Sequence, residues 1–90
     1  MVNYKKIIES ICFDHMVESK EVMCKTSVHH YAKVKSRIAY VLLMYTNLDK
    51  YEIANMMSVH HYTVWRYRHL VSEEIKTNPQ LEVRLKSYIK

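Results

Sequence analysis

His60, His61, Tyr62, Thr63, Arg66, Arg68 and His69 lie close together in the chain, with Trp65 among them and no acidic residue between 59 and 70. Imidazole, hydroxyl and guanidinium groups in such a mixture suit contact with phosphate oxygens and base edges. A second acid-free stretch, residues 22–37, holds Lys25, Lys33, Lys35 and Arg37 together with His29, His30 and Tyr31. Counting Lys and Arg against Asp and Glu, residues 59–70 carry +2 and residues 22–37 carry +4. Residues 1–21 and 38–58 carry −1 each, and residues 71–90 carry +1. A net charge of +5 is ordinary for a domain, and two solvated faces would also account for it. The uneven placement, with aromatics interleaved among the cations, points instead to a nucleic acid partner.

Other chemistries find less support. His29-His30, His60-His61, Cys12 and Cys24 could suggest zinc, but neither Cys-x-x-Cys nor His-x(3–5)-His spacing occurs, so no metal is expected. The chain has no glycine, which excludes the phosphate-cradling loops of nucleotide hydrolases. No Ser/His/Asp set or carboxylate pair has a supporting context, so the reading is of a protein that is not an enzyme, with no cofactor and no small-molecule substrate.

The elements that must position these groups are helical. At 90 residues and 49% hydrophobic content the chain is read as one domain, 1–90, with a single modest core. Asn3 is expected to cap a first helix carrying Tyr4, Ile7, Ile8, Ile11 and Cys12 and ending near Phe13 or Asp14. A short second helix is expected over 18–24, and residues 25–32 read as a basic loop. A third helix then carries Val34, Ile38, Val41, Leu42 and Tyr45, widened by Ala39 and Leu43. Asp49 and Glu52 form a capping pair that opens a two-turn helix through Ile53 and Met56. Ser58 is expected to cap the next helix, with Val64, Tyr67, Val71 and Ile75 on its inner face and Tyr62, Trp65, Arg66 and His69 elsewhere. Pro79 opens a last helix bearing Leu81, Leu85, Tyr88 and Ile89. The sum is an all-α fold of about six short helices. A short helix, a tight turn and a longer helix with a polar outer face make a helix-turn-helix whose second helix spans roughly His60 to Ile75.

No apolar run reaches the ~18 residues of a membrane span, and Glu9 interrupts the N-terminal apolar residues, so no membrane partner and a cytoplasmic location are expected. Cys12 and Cys24 then read as reduced, buried thiols.

Four stretches resemble, in order, the C-terminal DNA-binding domain of the bacterial replication initiator DnaA. Ser36-Arg37-Ile38-Ala39-Tyr40-Val41-Leu42 is similar to its Arg-Gln-Ile-Ala-Met-Tyr-Leu. Thr46-Asn47-Leu48-Asp49-Lys50-Tyr51-Glu52-Ile53 is similar to its Thr-x-Leu-Ser-Leu-Pro-Glu-Ile. His61-Tyr62-Thr63-Val64 resembles its His-Thr-Thr-Val, and Ile75-Lys76-Thr77-Asn78-Pro79-Gln80-Leu81 resembles the tail after its recognition helix. The resemblance implies a Trp-repressor-like helix-turn-helix fold that binds double-stranded DNA, in regulation of replication or transcription. It also implies that Lys33, Lys35 and Arg37 grip the sugar-phosphate backbone, while Val59, His60, His61, Tyr62, Thr63 and Arg66 lie in the groove or on its phosphates. Where the family has Gly-Gly-Arg-Asp-His-Thr-Thr-Val, this chain has Met57-Ser58-Val59-His60-His61-Tyr62-Thr63-Val64. Val59 and His60 thus replace the family's base-reading Arg and Asp. The alternative is a protein-interaction module that uses the altered face, with Val59, Tyr62 and Trp65 exposed.

Overall fold

The computed structural model describes residues 4–22 and 29–89, which form six α-helices and no strand. They are α1 (Tyr4–Asp14), α2 (Ser19–Val22), α3 (His29–Tyr45), α4 (Lys50–Met57), α5 (His61–Thr77) and α6 (Pro79–Lys86), followed by a 3-10 turn, Ser87–Ile89. None of these helices is long and apolar enough to cross a membrane. The expected roles of Asn3, Cys24 and Lys25 lie outside the described residues.

In α1, Ile7, Ile8, Ile11 and Cys12 recur at helical spacing and are all buried. The helix ends with Met16 in the left-handed region (φ 59°), where Met16 N–H donates to the Phe13 carbonyl and Val17 N–H to the Cys12 carbonyl, both at 3.0 Å. This paired closure is usually built on glycine, which the chain lacks. Burial, and then the neighbouring Glu9 charge, push the Cys12 thiol up from its ordinary value.

The core lies where α3 crosses α5. Val34, Ile38, Val41 and Leu42 of α3, Ile53 and Met57 of α4, and Val64 and Val71 of α5 are fully enclosed, and Tyr67 and Ile75 pack against them half-buried. Helix α3 begins at His29, so residues 29–32 are helical where a loop was expected. The second helix begins at Ser19 rather than Glu18 and is described to Val22, the rest of its expected span lying outside the described residues.

The Asp49–Glu52 capping box forms as expected: Glu52 N–H donates to Asp49 Oδ1 at 2.8 Å, and Asp49 N–H to Glu52 Oε1 at 3.1 Å. Such a cap contributes about 0.5–2 kcal/mol. Ser58 does not cap α5. It closes α4 instead, in the left-handed region (φ 58°), while Val59 N–H donates to the Ala54 carbonyl at 3.0 Å. The cap of α5 is His60, whose Nδ1 accepts from Tyr62 N–H at 3.1 Å. Pro79 occupies the first turn of α6, as its fixed φ favours.

Candidate functional site

Helix α4 and α5 are joined only by Ser58, Val59 and His60, and both pack on the same core. Val64 and Val71 turn inward, which fixes the rotation of α5 and sends Tyr62, Trp65, Arg66 and His69 to its outer face. Tyr62 is 61% exposed and Trp65 50%. Their rings lie 5.9 Å apart, and Trp65 runs parallel to His69 at 6.2 Å between centroids. A phenol, an indole, a guanidinium and an imidazole therefore share one continuous surface.

The start of α5 is more occupied than the sequence suggests. Tyr62 N–H is taken by the His60 ring, and Thr63 N–H donates to the His60 carbonyl at 2.9 Å. His60 is thus a cap as well as a surface residue. His61 is half-buried between Tyr51 (4.7 Å between centroids) and His60 (4.1 Å). Desolvation, then the charges of His60 and Lys50, hold its imidazole below the ordinary histidine range. Val59 packs partly on the core, so only part of its side chain is available to a ligand, and Thr63 is half-buried.

Lys33, Lys35 and Arg37, expected to grip the sugar-phosphate backbone together, do not form one exposed basic ridge. Lys33 is exposed, whereas Lys35 is 2% exposed. Arg37 is turned into a junction of α1, α3 and α5: its guanidinium lies 2.7 Å from His15 Nε2 and 3.2 Å from Glu74 Oε2. The reason is the helical wheel. Lys35 shares a face with Ala39 and Leu42, and Arg37 with Val34 and Val41, all of them buried. All three cations also lie well inside α3 rather than at its start, because the helix begins at His29.

Lys50 and Tyr51 join the surface without having been singled out, and Arg68, named with the second basic stretch, lies there too. Lys50 sits over the Tyr51 ring at 5.3 Å, and Arg68 is exposed with Nε 3.3 Å from Met44 Sδ. For Lys50 and Tyr51 the only signal in the sequence was position, in the first turn of α4. The carboxylates of α5 begin at the edge of this surface. Glu73 is engaged by Lys76 at 3.4 Å and His69 at 3.8 Å, and Glu74 by Arg37. No cluster of metal-ligating side chains occurs among the described residues. Comparison with family models, with curated proteins and with solved structures gave no match.

Proposed function

We propose that this chain binds double-stranded DNA through a helix-turn-helix made by α4 and α5, with α5 as the helix that enters the major groove, in regulation of replication or transcription. The observation that carries the reading is the outer face of the N-terminal half of α5, where Tyr62, Trp65, Arg66 and His69 are displayed with no carboxylate before Glu73. A groove about 12 Å wide admits one such helix, and these side chains hold the hydrogen-bonding groups that address bases and phosphates. His61 and Thr63 flank that face, and the likeness of the sequence to the DnaA domain supports the same docking.

The burial of Lys35 and the pairing of Arg37 limit the electrostatic part. Lys33, Lys50, Arg66 and Arg68 remain as phosphate ligands, and at about 0.9 per neutralised phosphate the slope of log affinity against log salt is about −3 to −4. Sequence preference differs from the initiator's. Val59 offers apolar contact where an Arg forked onto guanine would contribute roughly 1–3 kcal/mol of discrimination.

The test is duplex binding measured over a range of salt. A slope near that value, falling by ~1 in Arg66→Ala, supports the reading. Affinity for duplex that is absent, or indifferent to salt, would sink it and favour the protein-interaction reading, which the exposure of Tyr62 and Trp65 supports.

A further inference from the structure

We propose that the cleft where α3, α4 and α5 meet binds a small planar aromatic carboxylate, with the Trp65 indole as a wall and Arg68 and Lys50 as its cations. The cleft is about 330 Å³, at the lower end of the range of small-molecule sites, and is lined by Leu43, Asp49, Lys50, Trp65 and Arg68. Each part of the ligand follows from one part of the lining. Leu43 and the indole give the cleft a mostly apolar surface, which favours a flat hydrocarbon body over a hydrated ion. Among the described residues neither Lys50 nor Arg68 pairs with a carboxylate: Lys50 rests on the Tyr51 ring, and Arg68 turns its Nε to a thioether. Two cations beside an apolar cleft attract an anion, and a guanidinium holds a carboxylate in its fork.

Asp49 also lines the cleft, leaving it a net charge of +1, and the backbone offsets part of that carboxylate. Its Oδ1 accepts from Glu52 N–H at 2.8 Å, and it sits at the positive end of α4. Inorganic phosphate fits poorly by the same reasoning, since it would lose hydration against Leu43 and gain nothing from the indole. The site uses Lys50 and Arg68, which duplex DNA would also engage, but the cleft lining that defines it does not rest on DNA binding.

Trp65 is the only tryptophan in the chain, so its fluorescence reports directly on the cleft. The full chain is titrated with benzoate, benzyl alcohol, acetate and inorganic phosphate, with two-dimensional NMR in parallel. Benzoate should give a saturable change in indole emission with a Kd of about 1–10 mM, the range open to so small a ligand. Benzyl alcohol, acetate and phosphate should each bind at least ~10-fold more weakly, since each lacks either the charge or the arene. Arg68→Gln and Lys50→Gln should each weaken benzoate several-fold while leaving the circular dichroism spectrum unchanged. NMR shifts should centre on Leu43, Lys50, the indole N–H and Arg68. Equal binding of benzyl alcohol, no saturation with benzoate, indifference to both substitutions, or shifts centred away from these residues would each overturn the assignment.

Discussion

Glu74→Gln removes the carboxylate that reaches Arg37 and leaves a guanidinium 15% exposed with its charge uncompensated. Breaking a fully buried ion pair by removing one partner costs about 3–5 kcal/mol. Glu74 is 38% exposed, so water screens the pair and takes up part of the loss. A cost of about 2 kcal/mol follows, which for a domain of this size lowers Tm by ~8–16 °C. Arg37→Met added to Glu74→Gln should bring stability back to within ~1 kcal/mol of the parent, because the second change removes the stranded charge. It also removes the buried Arg37 Nε, which has no hydrogen-bond partner among the described residues. Urea unfolding followed by circular dichroism measures all three species. A loss under ~0.5 kcal/mol for Glu74→Gln, or a double variant less stable than the single one, would refute the argument. The same double variant bears on DNA binding. With Arg37 committed to Glu74 and His15, its removal should leave the salt slope unchanged, whereas Arg66→Ala should lower it by ~1.

Ser58→Gly should stabilise the domain by ~0.5–1 kcal/mol, since Ser58 holds a left-handed conformation that glycine adopts without steric cost; a lowered Tm would contradict this. Val64→Asp should cost several kcal/mol and abolish the cooperative unfolding transition, because Val64 is fully enclosed between α3 and α5; a folded, stable variant would show that α5 is rotated. His61 has a depressed folded-state pKa, so its contribution to stability is complete above the unfolded value of about 6.5 and is lost as pH falls through the folded one. Urea midpoints compared across that window should fall more steeply for the parent than for His61→Gln, and parallel curves would rule His61 out as a source of the slope.

Most of the scaffold could be read from residue spacing. Asp49 and Glu52 announce α4, Pro79 announces α6, and the Val64–Tyr67–Val71–Ile75 stripe sets the rotation of α5 that displays Tyr62, Trp65 and Arg66. Residues 29–32 read as a loop in the sequence because His29 and His30, after the polar Lys25-Thr26-Ser27, mask a helix start; a packed inner face, more than local preference, decides such a boundary. Charge read along the sequence was a poor guide to charge in space. The wheel of α3 already placed Arg37 on the Val34–Val41 stripe, and that of α5 placed Glu74 beside Tyr67 and Val71. Opposite charges on two inward stripes are a signature of pairing across helices, and the run of basic residues obscured it. Ser58 was ambiguous for a chemical reason: serine serves a helix start, but in a chain without glycine it also fills the left-handed closing position.

Two phenols fasten α1 at opposite ends. Tyr4 donates to Asn47 Oδ1 at 2.6 Å, and Tyr88 donates to Asp14 Oδ2 at 2.5 Å. Burial first, and then the hydrogen bond to Asp14, raise the Tyr88 phenol above its ordinary value and keep it protonated, as a donor must be. Both fastenings reach across long stretches of chain, while α3, α4 and α5 follow one another and meet through short connections. The entropy of closing a loop grows with its length, so the central three helices are expected to assemble first on the folding route, with α1 clasped last. In the native state the order reverses. The clasp is expected to open at lowest free energy, so hydrogen exchange should show the amides of α1 exchanging before those at the α3–α5 crossing, which should stay protected until the whole domain unfolds.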